Sequence, residues 1–358
     1  MIAPFLLAPM AELSHRALRE LIEGFGGCDG YYTEMIGAGA LVSGGRFEDW
    51  YLESGPCPDK LIYQLVGADS GRLAVAAALL DKLPGAGIDI NMGCSAPAIA
   101  RTGAGVRWMA FPQEAAAMIG QVRRATGKRL SVKLRLAPER GIVQASDGPD
   151  AVFDYLLDFC RRLVEAGLDF VVLHPRTADE KFRRAAHWDY VARLRAALDI
   201  PVGGNGDIDG PESLLIRAQG PWDAVMAGRA AVRQPWIFAQ ARQLAAGDTP
   251  KAALRSVKSR FCPNELHEAQ QTTSPHSPFP TPNLEETGLR FLDLLAKYQP
   301  PEFHLSRARR FFNYFCDNLR WAHYQRTRLN RETGLKGIAR VWQEYFRETG
   351  DSGLSTAP

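Results

Sequence analysis

Cys94 stands in the stretch "INMGCSAPAIARTGAGVRWM", Ile90 to Met109, on a segment rich in small residues and bounded by Gly93 and the Gly103/Gly105 pair. The apolar lead-in ends at Asn91, so the thiol follows a strand end on a loop. A lone cysteine is ordinarily buried and inert. A thiolate nucleophile needs a base, and no His–Asp or His–Asn partnership is evident in the chain. A neutral thiol that donates a proton suits this loop better.

Two further groups sit in apolar runs. Lys133 lies in "LSVKLRL" at 130–136, and His174 in "DFVVLHPR" at 169–176. An ammonium in an apolar strand needs an anionic or electron-rich partner. It either faces a ligand at the strand end or snorkels to a carboxylate. His174 is either a hydrogen-bonded structural residue or part of a site. Arg176, two residues on, adds a bidentate donor near the same opening. "GGNGDI" at 203–208 and "MAGRA" at 226–230 bring paired glycines. Each alone reads as a tight turn; together, with Arg229, they read as a phosphate cradle of exposed backbone N–H groups.

The elements that must position these groups recur regularly. Short apolar runs fall at 5–9, 30–35, 61–67, 88–93, 130–136, 169–176, 200–207 and 223–229. They lack the alternation of a half-exposed strand, as expected of parallel strands covered on both faces. Between them lie amphipathic segments such as 112–127 and 150–167. Alternating strand and helix over about 240 residues predicts a closed (β/α)8 TIM barrel. Met10, Glu34, Gln64, Asn91, Lys133, His174, Asn205 and Arg229 each stand at or just past the end of a different run. Only a closed barrel gathers all eight ends on one face; an open sheet would use those at its switch point.

Beyond 246 the texture changes. "QQTTSPHSPFPTPN" at 270–283 is rich in Pro, Ser and Thr, and a helical, basic tail follows. From 299 to 340 there are nine Lys/Arg against three acids, an excess of six in a chain of net charge +3. That leaves an acidic remainder and a basic surface suited to a phosphate backbone, unless the charges are merely solvated. The expected organisation is a catalytic barrel over 1–246, a linker or surface loop over 247–283, and a smaller all-helical C-terminal domain over 284–358.

The remaining numbers are exclusions. The chain is 46% hydrophobic and 23% charged, ordinary for a globular protein. The six cysteines form no C-x-x-C pair, which argues against a zinc site or a disulfide framework. No basic leader and no apolar run of membrane-spanning length are evident. A cytoplasmic, monomeric protein with no membrane partner and no metal is expected.

With these residues assembled, the chain resembles the tRNA-dihydrouridine synthases, FMN-dependent (β/α)8 enzymes. The matching stretches are "LAPMAEL", "YYTEMI", "YQLVG", "INMGC" followed by "GAG", "VKLRL", "LHPRT", "PVGGNGDI" and "VMAGRAAVRQPWIF", in family order from 6 to 238. The resemblance implies that NADPH reduces FMN, which reduces a uracil in tRNA, with Cys94 protonating the ring. It implies that Pro9, Met10, Gln64, Lys133, His174, Asn205, Gly206, Asp207, Gly228 and Arg229 hold FMN, and that Asn91 and Arg176 contact the uridine. The tail resembles the family's RNA-binding domain more loosely, and there Arg307, Arg309 and Arg310 are expected to meet the RNA. Some positions depart from the family pattern. Ser95 replaces a proline, Pro97 and Ala98 stand where many members have lysine, "HPRT" replaces "HGRT", and Phe182-Arg183-Arg184 replaces "YSG". An FMN oxidoreductase of a free pyrimidine-like molecule and a non-catalytic RNA-binding relative are the alternatives.

Overall fold

A computed structural model describes residues 2–136, 148–177, 180, 184–247 and 282–350. Eight strands close a parallel barrel in sequence order: β1 (Phe5–Leu7), β2 (Gly30–Gly37), β3 (Leu61–Val66), β4 (Gly87–Met92), β5 (Arg129–Arg135), β6 (Phe170–His174), β7 (Val202–Asn205) and β8 (Ala224–Ala227), with β8 back against β1. Around it run α1 (Arg16–Glu23), α2 (Ala38–Val42), α3 (Glu48–Tyr51), α4 (Ser70–Asp81), α5 (Pro97–Ala100), α6 (Pro112–Ala125), α7 (Gly148–Glu165), α8 (Trp188–Ala197), α9 (Pro211–Ala218), α10 (Arg229–Arg233) and α11 (Ile237–Ala246). The predicted barrel is therefore the observed one.

Local chemistry sets the helix starts. Pro112 and Pro211 open α6 and α9 at the turn where a missing N–H costs nothing. The Asp69 carboxylate caps α4 by accepting from the Arg72 N–H at 2.8 Å. Strand side chains alternate between two cores. Leu7, Leu65, Ile88, Ile90, Val132 and Leu173 face the helices in the main core. Leu6, Ala8, Tyr32, Phe170, Val172, Ala224 and Met226 form a second cluster inside the barrel. The interior is divided: β1, β2, β6 and β8 supply this apolar wall, whereas Gln64, Asp89 and Ser131 give β3, β4 and β5 a buried polar wall.

Among the described residues four more helices follow: α12 (Leu284–Tyr298), α13 (Pro301–Phe315), α14 (Ala322–Arg331) and α15 (Leu335–Thr349). Their core is aromatic. Phe291 stacks on Phe311 with centroids 3.7 Å apart, and Phe312 packs against Trp342 at 4.8 Å. This unit is not detached from the barrel. Phe291 also meets the His15 ring at 6.1 Å, the Arg16 guanidinium lies 4.1 Å above the Tyr298 ring, and Phe47 meets Phe303 at 4.7 Å. Buried side chains of both units form one continuous core. The expected linker, apart from Gly247, Pro282 and Asn283, lies outside the described residues, as do 351–358. Among the described residues no helix is long and apolar enough to cross a membrane, and no His/Cys/Asp/Glu group could hold a metal.

Candidate active site

The strand ends meet as the alternation requires. Asn91 is in register with Lys133, Arg135 with His174, and Asn205 with Met226, so the polar groups of neighbouring strands share one rim. Met10, just past β1, lies with its sulfur 3.5 Å from where a Cβ on Gly228 would stand, which joins the β1 and β8 ends. Pro9 is half-buried beside it.

The loop carrying Cys94 is held from three sides. The Asn91 Oδ1 accepts from the Gly93 and Cys94 N–H groups at 3.2 and 3.0 Å. The Arg135 Nε donates to the Gly93 carbonyl at 2.8 Å. The Val106 N–H donates to the Cys94 carbonyl at 3.0 Å, folding the following turn back on the thiol's own residue. Gly105 makes that return possible: its φ is +65°, and a Cβ there would sit 2.4 Å from the Cys94 oxygen. Cys94 itself is half-buried at the rim.

Cations converge beside it. His174 is 6% exposed, and its pKa is lowered to about 2, first by burial and then by Lys133, Arg135, Arg176 and Arg229. It is a neutral imidazole at physiological pH. Lys133 is lowered to about 8 by burial and by Arg135, partly offset by Asp89 and Cys94. Arg176 among these cations is paired with Asp207, and a neutral imidazole set among them suits a site that takes an anion or an electron-rich group.

The β6–β7 side is tied together internally. The buried Arg176 donates to the Asp207 carboxylate and, at 2.6 Å, to the Arg184 carbonyl, and its Nη1 lies 3.3 Å from His174 Nε2. The other Asp207 oxygen accepts from the Ala186 N–H. Arg176 thus braces this loop, and an anion at Asp207 would meet its backbone rather than its carboxylate. The Asn205 side chain donates to the Met226 carbonyl at 2.7 Å. Gly206 has φ +131°, and a Cβ there would stand 3.0 Å from Ala186 Cβ and 3.3 Å from His174 Cδ2. Only a glycine therefore brings the backbone this close to His174 and Ala186. Gln64 is fully buried and accepts from Asn91 Nδ2 at 2.9 Å.

The tail arginines require a correction. Arg307 is 2% exposed and ion-paired to Glu34 at 2.9 Å, so it faces the barrel and not solvent. Arg309 donates to the Asn330 and Glu332 carbonyls at the end of α14. Of the three, Arg310 alone is exposed. The charge balance also shifts once whole units are counted. Residues 284–358 hold twelve Lys/Arg against nine acids, and 1–246 hold 27 against 28. The barrel is therefore nearly neutral; Glu344 and Glu348 of α15 offset the tail by pairing with Arg328. Sequence reasoning missed a different face. Trp321 and Tyr324 are 55% and 61% exposed, with Arg320 over the Trp321 ring and Arg328 over the Tyr324 ring, and exposed Arg331 lines the same shallow basin. In the sequence these are aromatics beside arginines on a helical stretch, a pattern that fits helix core as well as surface.

The family model for Dihydrouridine synthase (Dus) matches residues 6–279. The chain belongs to the dihydrouridine synthase family. It is 33% identical over 253 residues to the tRNA-dihydrouridine(16) synthase of Cupriavidus necator, covering 67% of this chain and 74% of that relative. It is 31% identical over 249 residues to the tRNA-dihydrouridine(16) synthase of Ralstonia nicotianae, covering 66% and 72%. It is 31% identical over 272 residues to the tRNA-dihydrouridine synthase B of Xanthomonas axonopodis pv. citri, covering 72% and 75%. The matched region of this dihydrouridine synthase family member, residues 6–279, contains the ends of all eight strands together with Cys94, Lys133 and His174.

Proposed function

We propose that the protein reduces uridines in tRNA to 5,6-dihydrouridine, with FMN as cofactor and NADPH as reductant. The observation that carries this reading is the rim where Lys133, Arg135, Arg176 and Arg229 surround a neutral His174 beside the loop of Cys94. The residues fit a flavin phosphate and an electron-rich ring. Gly206 bares a backbone that a Cβ would crowd against Ala186 and His174, Arg229 brings charge, and Lys133 brings a donor in a desolvated wall. Lys133 and His174 would hold the ring, and Gln64, fully buried between Asp89 and Asn91, would back that wall rather than touch the ring through its amide. Pro9, Met10, Asn205, Gly206, Asp207, Gly228 and Arg229 would hold its side chain and phosphate. FMN bound there supplies hydride to the uracil.

The chain's own residues do the rest. Cys94 holds a proton at Sγ on a clamped loop and gives it to the ring carbon that needs one. Arg135, donating to the Gly93 carbonyl, keeps a positive charge near the thiolate left behind. Asn91 has its oxygen committed to the loop, so its remaining N–H is what it can offer a uracil edge. A base in folded RNA must be extruded to reach this rim. The basin at Trp321 and Tyr324, with Arg320 and Arg331, is the face offered to RNA; its rings stack bases and its arginines meet phosphates, and exposed Arg310 is a further contact. In this reading residues 1–246 are the catalytic unit, and 284–350 the RNA-holding unit.

The test is anaerobic incubation of purified protein with NADPH and unmodified tRNA, followed by mapping of dihydrouridine and assay of released FMN. Flavin in the protein and dihydrouridine at defined sites are expected. Protein that is colourless and takes up no FMN overturns the reading. Reduction of free uridine with no change in tRNA would instead establish the small-substrate alternative.

A further inference from the structure

The buried polar wall of the barrel is a directed chain of hydrogen bonds. Ser131 Oγ donates to Asp89 Oδ1 at 2.6 Å, and Gln64 Nε2 donates to Asp89 Oδ2 at 2.7 Å. Gln64 thereby turns its Oε1 outward, where it accepts from Asn91 Nδ2 at 2.9 Å. Asn91 in turn presents its Oδ1 to the Gly93 and Cys94 N–H groups. Carboxamides can point either way; a carboxylate can only accept. We propose that Asp89 is a positioning residue, whose carboxylate sets the direction of both carboxamides and so fixes the loop that presents Cys94.

Three observations support this. Asp89 is 0% exposed on β4, with its two oxygens committed to Ser131 and Gln64. Its carboxyl is raised by burial to about 6, with Ser131, Gln64 and Lys133 drawing it down, so at neutral pH it is an acceptor. If the Gln64 amide were reversed, its NH2 would face the Asn91 NH2. Asn91 would then have to turn, placing donors against the two loop N–H groups. Each such mismatch in a buried site is costly.

Moving one carboxylate reverses the direction of the chain. Asn91→Asp keeps acceptors toward the loop but sets an acidic oxygen against Gln64 Oε1. Gln64 cannot then serve Asp89 and the new carboxylate together. Adding Asp89→Asn resolves the conflict: the new amide donates to Gln64 Oε1, Gln64 Nε2 donates to the carboxylate at 91, and the loop keeps its acceptor. Asp89→Asn alone frees the direction: its amide can face Gln64 with either a donor or an acceptor, so the two carboxamides are no longer held one way round.

The experiment is site-resolved alkylation of the full chain by iodoacetamide at pH 7.5, read by mass spectrometry. Cys57, half-buried just before β3 at the opposite end of the barrel, is the internal control. Asn91→Asp should raise the Cys94 rate relative to Cys57 by about 5-fold or more. Asp89→Asn, which no longer imposes a direction, should raise it by about 2-fold or more, and the double variant should return to within about 2-fold of wild type. A double variant no closer to wild type than Asn91→Asp, or an unaltered Cys94 rate in Asn91→Asp, overturns the proposal. If Asn91→Asp does not fold, folding of the double variant supports it and its failure to fold overturns it. The inference rests on the reading of Cys94 as proton donor only for its meaning in turnover. The alkylation ratio needs neither cofactor nor RNA, so the two can fail separately.

Discussion

Arg307 Nη2 lies 2.9 Å from Glu34 Oε2, and the two side chains are only 3% and 5% exposed. The arginine comes from α13 and the glutamate from β2, whose other oxygen accepts from the Glu12 N–H at 2.6 Å. A strand-end carboxylate expected at the rim is instead spent on seating the C-terminal helices. Burial raises the Glu34 pKa, while Arg307 pulls it back.

Breaking this pair should be expensive. Arg307→Met leaves a buried carboxylate without its cation and should cost about 3–5 kcal/mol in urea unfolding of the full chain. Combining it with Glu34→Gln removes the orphaned charge, keeps an acceptor for Glu12, and should recover most of the loss. Additive losses in the double variant would show that the two residues act separately.

RNA affinity should follow the exposed basin rather than Arg307. Replacing Arg320 and Arg331 with alanine should flatten the log–log salt dependence of tRNA binding by roughly 0.9 per phosphate no longer neutralised. Trp321→Ala should weaken binding by about 1–3 kcal/mol by removing a stacking platform for a base. Titrations at several salt concentrations distinguish the two. An unchanged slope and affinity would move the RNA to another face.

Cys94→Ala should leave flavin content and NADPH oxidation near wild type. It should slow uridine reduction by roughly 10²–10⁴-fold, the usual worth of a positioned acid. Single-turnover rates with pre-reduced enzyme check this, and wild-type rates would assign the proton to another group or to water.

His15 should make the fold acid-sensitive. It is 2% exposed, neither ring nitrogen reaches a hydrogen-bond partner, and its pKa is held well below 6.5 by burial, Arg307 and Arg19, with a small opposing effect from the Glu12 backbone. The unfolded imidazole takes up a proton as pH falls through 6.5 and the folded one does not. Stability is therefore lost on acidification. Asp89 and Glu34, raised in the fold, act in the opposite sense. Comparing variants isolates the histidine: between pH 7 and 5, His15→Phe should lose up to about 2 kcal/mol less than wild type. Parallel stability curves would mean that His15 is protonated in the fold.

The barrel was legible because its strands are buried on both faces and so appear as unbroken apolar runs. Each observed strand overlaps its run; β4 and β5 begin one residue early, at Gly87 and Arg129, and β2 reaches two residues beyond the expected 35, to Gly37. The rim was legible for a related reason, since a polar residue ending an apolar run has few places to go. The partners of those residues were not legible. Nothing near Arg307 in sequence shows that its counter-ion lies 273 positions earlier, and the run of aromatics from Phe311 to Tyr324 does not say that Trp321 and Tyr324 are the rings that stay outside. Asp89 was hidden for the opposite reason: it lies within a run and before its end, where the pattern reads as core.

The seating of α12 on α1 has a consequence for how the chain is made. The barrel sequence is complete at Ala246, but the surface around His15 and Arg16 gains its cover only when Phe291 and Tyr298 have been added. At about 5–20 residues per second that interval lasts roughly 3–10 s. During it the nascent chain carries a bare flank beside its first helix. The last-synthesised helices therefore act as a seal on the first, and a ribosome stalled between them leaves a chain that associates with others or with a holding chaperone.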